Sequence, residues 1–379
     1  STASAKATYT SGTSGFSKGV MLPYRSVYTN IYFALTIAEP QMNCESDVVA
    51  ILPSAHMYGM LFEFLFEMSI GAHVHFLTRV PSPKIIMSAF QEIKPDIIIA
   101  VPLIIEKVYK SQIKPVVDRN KLYMLLPLLD QYILKKIRNG MIDAFGGRFE
   151  EIIIGGAAFN PEVEAFLRKI HFPFTVGYGM TECAPLITFS PAKDYKPGSC
   201  GRVLNGYMEM RILNPNAEGV GEVVVRGEHL MSGYYHVPNS DTHVFTDDGW
   251  LKTGDLGYID QDGFLFLKGR CKTMLLGPNG QNIYPEAIEA KLNNLMFVLE
   301  SLVLSGDDGL VALVYPDYKL ADNQRIGHEE LLSVMEQNRR LLNLKLARYE
   351  QIQKITLYPH EFEKTPKKNI KRFLYTQVQ

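Results

Sequence analysis

Cysteine is scarce in this sequence and scattered. The four cysteines among 379 residues, Cys44, Cys183, Cys200 and Cys271, show no C-x-x-C spacing. That excludes a disulfide framework and a cysteine zinc site, and predicts reduced thiols. Positive charge is not in surplus either. The 39 Lys and Arg against 40 Asp and Glu give a net charge of −1, which argues against nucleic acid as a partner and supplies no polybasic cluster for an anionic membrane. Long apolar runs are missing. The longest, Ile97 to Ile105, has nine residues and contains Pro102, whereas a bilayer-spanning helix needs about 20. No charged-then-apolar leader, internal repeat or low-complexity tract stands out. These absences predict a soluble, cytoplasmic protein, with peripheral membrane contact left open and the oligomeric state undetermined.

What is present is ordinary globular material, 46% hydrophobic and 21% charged, long enough for two or more cores. Apolar runs at 48–53, 72–77, 97–101 and 152–154 read as buried strands alternating with helical patterns, which predicts an α/β architecture with a mostly parallel sheet over residues 1–195. Leu134, Ile137, Met141 and Phe145 recur at helical spacing, and Asn160-Pro161 pairs an N-cap with proline at the first helical position. After Pro191 the pattern changes. Short β-like pieces at 208–213, 222–225, 258–260 and 264–267, separated by Asn214-Pro215, Asp248-Gly249 and Asp262-Gly263, predict a small β-rich subdomain over 196–269. A helix near Pro285, a strand pair at 301–304 and 310–315 and a helix at 328–342 predict a small α+β lobe over 270–379.

Chemistry concentrates first in Thr10-Ser11-Gly12-Thr13-Ser14-Gly15-Phe16-Ser17-Lys18-Gly19. Glycines let a backbone close around a bulky anion, hydroxyls add donors and Lys18 adds a mobile positive charge. The stretch reads as a polyphosphate loop, with a flexible Gly/Ser/Thr linker as the plain alternative. It is not the common G-x-x-x-x-G-K-[ST] loop, because Ser17 and Gly19 stand where that template needs Gly and Ser or Thr. In Gly177-Tyr178-Gly179-Met180-Thr181-Glu182 the glycines and Tyr178 offer a slot and a stacking ring for a flat base. Glu182 there is a hard oxygen ligand of the kind Mg²⁺ takes beside phosphates. Asp255, in Trp250-Leu251-Lys252-Thr253-Gly254-Asp255, is a candidate acceptor for two ribose hydroxyls. A tight turn with a solvated acid is the plain reading of either motif alone. His73 and His75 alternate on one strand face without a third ligand and read as exposed residues.

Together with Gly269-Arg270-Cys271-Lys272 and Gly280 to Glu289, these motifs stand in the order found in the adenylate-forming superfamily of acyl-CoA synthetases, luciferases and peptide-synthetase adenylation domains. The sequence resembles that family from Thr8 to Arg372. The segment Val101-Pro102-Leu103-Ile104-Ile105-Glu106-Lys107-Val108-Tyr109 is similar to that of long-chain fatty acid CoA ligases. The resemblance implies a large ATP- and acyl-binding lobe, N-terminally incomplete because family members carry a subdomain ahead of the loop. A mobile C-terminal lobe would follow, hinged at 270–272 with Lys272 as the pivot. It implies ATP, Mg²⁺ and coenzyme A as cofactor and co-substrates, and a fatty acid as the acid. Thr10 and Glu182 would face the metal. Gly156, Ala157, Gly177, Gly179 and Thr181 would line the nucleotide, Arg270 would bond the ribose and His56 would stand near the acyl pocket. Met231-Ser232-Gly233-Tyr234-Tyr235 is expected to be scaffold. An acyl-carrier-protein acceptor, an aryl acid, or a non-catalytic binding module are the alternatives.

The match fails at one place. Aligned on Lys364-Thr365 and Ile370-Lys371-Arg372, the family's C-terminal catalytic lysine is replaced by Asn369, an uncharged donor. A small register shift bringing in Lys368, or else Lys367, is the favoured substitute. The other two readings are a weak adenylator and a protein used mainly for the second half-reaction.

Overall fold

The computed structural model describes residues 4–11, 17–38, 42–120, 126–236, 244–277, 280–307, 309–365 and 370–375. Gly12, Thr13, Ser14 and Gly15 of the expected phosphate loop lie outside them, as do Lys367, Lys368 and Asn369.

Isoleucine-rich runs set the centre. Ile98–Ala100, Ile152–Ile154 and Phe174–Val176 pair in that order as a parallel sheet, with Ile98 opposite Ile152 and Ile152 opposite Phe174. β-branched residues suit a parallel sheet covered by helices. The covering helices include Pro102–Val108, Pro127–Ala144 and Pro161–Lys169, whose Ile105, Met141 and Leu167 share one buried core with the strands. Asn160 caps the last helix as expected: its Oδ1 accepts from Glu162 N at 2.9 Å and Val163 N at 3.4 Å. The same side chain reaches the C-terminal part of the chain. Asn160 Nδ2 donates to Asn294 Oδ1 at 2.7 Å, and Asn294 Nδ2 donates back to Asn160 Oδ1 at 3.1 Å.

The 72–77 run forms only a short strand, His73–Phe76, parallel to Asp47–Ala50, and Phe76 is exposed. His73 is exposed as expected, His75 is half-buried, and both turn to one carboxylate. His75 Nε2 lies 2.8 Å and His73 Nδ1 3.5 Å from Asp47 Oδ1, while Arg148 spans Asp47 and Asp96. Alternation placed both imidazoles on one side of the strand; the partner strand supplies the carboxylate. Met57–Ile70 is a helix that widens into a π turn at Leu61–Leu65. There the Glu63 carboxylate accepts from Ile51 N at 3.1 Å and Leu52 N at 2.8 Å.

The β-rich region is a four-stranded antiparallel sheet in the order Met208–Leu213, Gly221–Gly227, Leu251–Ile259, Leu265–Arg270. The third strand runs through the whole Leu251–Gly257 motif, where only 258–260 was expected to be extended. Gly233–Tyr235 leaves this sheet and pairs instead with Ser17–Pro23, which also pairs with Ser4–Ser11. That hairpin brings Thr10 opposite Lys18 and Ser11 opposite Ser17.

Beyond Lys272 the chain forms helix Pro285–Leu292, the hairpin Val298–Gly306 with Gly309–Pro316, and helix His328–Asn343 around a separate core that includes Leu292, Val303, Val314 and Leu331. An unanticipated strand, Ile352–Leu357, adds to the hairpin in parallel. Lys364 and Ile370 then pair across the segment that holds Asn369. Lys364 Nζ sits 2.6 Å from Glu300 Oε1, and Arg372 is ion-paired with the buried Glu289.

Candidate active site

Sheet register builds the first half of the site. Asp255 stands directly opposite Arg270 on neighbouring antiparallel strands, and such pairs lie close enough for side-chain contact. Arg270 Nε is 3.0 Å from Asp255 Oδ1, and the Tyr178 hydroxyl donates to Asp255 Oδ2 at 2.7 Å. The carboxylate is 6% exposed. Burial raises its pKa, with Arg270 and Tyr178 working against that rise. Tyr178 is itself buried, which pushes its phenol far above the ordinary range. Tyr178 was expected to act through its ring; its hydroxyl is also what fixes Asp255. Each Asp255 oxygen has one protein partner. An ionised carboxylate offers about four acceptor sites, so capacity remains.

Gly179 is a glycine for a different reason than the one expected. A Cβ there would lie 2.0 Å from the Pro185 carbonyl oxygen, so its bare backbone serves the chain's own packing. Gly156, at φ +86°, does need the conformational freedom of glycine at the end of its strand. Ala157 follows it, exposed.

The second half forms around Glu182. It lies in a short turn, Thr181–Cys183, followed by the buried Ala184 at φ +55°, a left-handed conformation that costs about 1–3 kcal/mol and recurs at functional sites. The Tyr234 hydroxyl donates to Glu182 Oε1 at 2.9 Å, and Lys18 Nζ sits 4.7 Å from the centre of the Tyr234 ring. Tyr234 was read as scaffold, and that reading is corrected here. One aromatic residue joins Lys18 to the candidate metal carboxylate. Only strand pairing reveals this: Tyr234 stands opposite Val20, 214 positions earlier. Among the described residues no cluster of three His, Cys, Asp or Glu side chains could hold a metal alone. A single carboxylate still fits Mg²⁺, which commonly takes one or two carboxylates and completes its shell with water and phosphate oxygens.

A cleft partly open to solvent starts at Gly155, Gly156 and Gly177–Gly179. It runs over Ile99, Ile153 and Ile97, with Phe33, Phe62 and Phe66 among its walls. Glu182, Lys18, Asp255 and Arg270 do not line it; residues 178–182 and the Tyr178–Asp255 bond connect them to it. His56 is not a lining residue either. It precedes the Met57 helix, two residues before Tyr58, which does line the cleft. Lys272 is exposed in the turn after Arg270, where Cys271 N bonds Gly254 O at 2.9 Å.

Residues 3–235 match the sequence profile of the family described as AMP-binding enzyme. The human long-chain-fatty-acid–CoA ligase ACSBG2 is 28% identical over 326 residues, covering 79% of this chain and 48% of its own length. The 4-coumarate:CoA ligase 1 of Petunia hybrida is 31% identical over 317 residues, covering 79% and 52%. The chain thus spans about half the length of the curated relatives it matches. In fold it is similar to ATP-bound MatB from Rhodopseudomonas palustris, with a TM-score of 0.74, 22% identity and coverage of 97% and 66% of the two chains. It is equally similar to o-succinylbenzoate CoA synthetase (MenE) from Bacillus subtilis in complex with its acyl-adenylate, with a TM-score of 0.76, 22% identity and coverage of 100% and 70%. An α/β fold shared with those structures, and a family match over residues 3–235, establish that the chain belongs to the AMP-binding enzyme family.

Proposed function

We propose that this chain is the nucleotide- and acyl-binding part of an ATP-dependent acyl-CoA synthetase acting on a fatty acid, with a long-chain acid as the first expectation. The observation that carries the reading is the continuity of an apolar cleft with Gly177, Tyr178 and Gly179, the start of the segment that ends at Glu182: an acyl chain in the cleft would present its carboxylate where that segment would hold a nucleotide. The names of the 28%-identical relatives supply the long-chain expectation. An aryl acid is the second reading, favoured by the 31%-identical coumarate ligase and by the aromatic walls of the cleft.

In the first step a carboxylate oxygen attacks the α-phosphorus of ATP and pyrophosphate leaves. In the second the thiolate of coenzyme A attacks the acyl carbon, AMP leaves and the thiol proton goes to solvent. Positioning and charge stabilisation are the protein's contributions. Asp255 and Arg270 would hold the ribose, Tyr178 the base, and Thr10 to Lys18 the phosphates. Mg²⁺ would neutralise phosphate charge, with Glu182 as its carboxylate ligand and Thr10 beside it. Lys272 would be the pivot of the C-terminal lobe, and Lys368 the proposed substitute for the lysine that Asn369 replaces.

The test is turnover of the full-length gene product with Mg-ATP, coenzyme A and a series of fatty and aryl acids, followed by pyrophosphate release and thioester formation. Acid-dependent release of pyrophosphate with thioester product supports the reading. ATP binding without turnover of any acid would make the protein a binding module, and thioester formed only on a carrier protein would change the acceptor. Within the same assay Tyr234→Phe is expected to lower kcat about tenfold. It removes one hydrogen bond to a charged group but keeps the ring beneath Lys18. An unchanged rate at limiting Mg²⁺ would remove Tyr234 from the site.

A further inference from the structure

The cleft has two chemically different ends. Gly155 and Gly177 sit at the carboxyl ends of the central parallel strands, and Asp96 and Glu151 at their amino ends. From one end to the other the strands run roughly 10 Å at about 3.3 Å per residue. The helix at 57–70 runs the opposite way along this face. The Tyr58 hydroxyl bonds Ile153 O at 3.0 Å near the glycines, and Glu67 lies more than two turns further on, just before the chain enters the strand at His73. Glu67 lines the cleft and is 0% exposed. Neither carboxyl oxygen of Glu67 has a hydrogen-bond partner among the described residues.

Its acidic neighbours differ. Asp96 Oδ2 accepts from Asp47 N and Arg148, and Glu151 Oε2 accepts from Ala192 N at 2.7 Å. One turn back on the helix, Glu63 accepts two backbone amides. Each of these is satisfied by the fold itself. A buried carboxyl left without a partner is costly, so a group with no structural use here points to a ligand that completes it.

We propose that the inner end of the cleft is a hydrogen-bonding subsite in which Glu67 determines specificity, and that the preferred acid carries a hydroxyl at the far end of its chain. This rests on the synthetase reading only in assigning the cleft to the acyl chain. The chemistry follows from the surroundings. Burial, with Glu63 and Asp96 nearby, pushes the Glu67 pKa up to about 8, so at neutral pH it is a protonated carboxyl with one donor and a free acceptor. A hydroxyl matches both. A second carboxylate is disfavoured by the acidic neighbours, and a terminal methyl leaves Glu67 unsatisfied. Sites built to bond a substrate hydroxyl discriminate strongly against the analogue that lacks it.

The test compares ω-hydroxydecanoate with decanoate on the full-length gene product, by calorimetric affinity and by kcat/KM. The hydroxy acid is expected to bind about tenfold more tightly, the worth of one buried hydrogen bond. Glu67→Gln, which keeps a donor and an acceptor, is expected to retain that preference, and Glu67→Leu to bring the two affinities together. Equal affinities in the unmodified protein would overturn the proposal, as would a preference that survives Glu67→Leu, or binding of neither acid. Tighter binding of the hydroxy acid without turnover of either would uphold the subsite and overturn the synthetase reading. Thermal melts of both variants show whether each is folded.

Discussion

Asp255→Asn is expected to weaken ATP binding about a hundredfold while leaving the fold intact. Two charge-assisted hydrogen bonds to ribose hydroxyls, at about 1.5 kcal/mol each, account for that factor. Asparagine keeps the side chain's size and one acceptor, so the Tyr178 hydroxyl can still be satisfied. Arg270 loses its charge partner, but its side chain is 54% exposed and water compensates for much of the loss. Asp255→Ala is a harsher change. It strands the Tyr178 hydroxyl in a buried setting, and an unsatisfied buried group costs about 1–3 kcal/mol, so this variant should also melt at a lower temperature. Calorimetric titration with ATP, run beside a thermal melt, separates the two effects. An Asn variant that binds ATP as the unmodified protein does would remove Asp255 from the ribose.

Glu182→Gln is expected to lower the rate of pyrophosphate release by about a hundred- to a thousandfold, the scale seen when one preorganised electrostatic contact to a developing charge is removed. The amide keeps an oxygen for the Tyr234 hydroxyl and fills the same space, so folding should not change. Its lost charge weakens a metal held by one carboxylate and phosphate oxygens far more than it weakens the bare nucleotide. The signature is therefore specific: affinity for ATP without Mg²⁺ stays near its starting value, while the Mg²⁺ dependence of the rate moves to higher concentration. A rate that falls without any change in Mg²⁺ dependence would assign Glu182 another task.

What the sequence disclosed, and what it hid, follows from the distance over which each feature is written. Asn160-Pro161 is a local signal, and the cap forms as read because its partners are two and three residues away. The isoleucine runs likewise carry their own burial. Asp255 and Arg270 were legible as separate motifs, but their contact depends on the register between two strands, which no single strand states. Tyr234 was misread for the same reason: its contact with Glu182 comes from pairing with the Ser4–Pro23 hairpin, and a Ser-Gly-Tyr-Tyr segment carries no trace of it. The helix at 57–70 is hard to read from sequence, because its π turn breaks the regular spacing and two glutamates sit on the inner side, one satisfied by backbone amides and one by nothing among the described residues. The strand at 73–76 shows the reverse error. An apolar run implied depth, but its Phe76 is exposed and its histidines turn to a carboxylate one strand away.

The reciprocal amide bonds between Asn160 and Asn294 have an uneven balance. Were Asn294 withdrawn, the Asn160 oxygen would keep both of its helix amides, so the start of that helix would stay capped. Asn294 would lose both bonds of the exchange. The seam between the two parts of the chain is therefore uneven: were it to part, Asn294 would have both ends of its amide to hydrate, Asn160 only its Nδ2 group, and the helix start would stay capped.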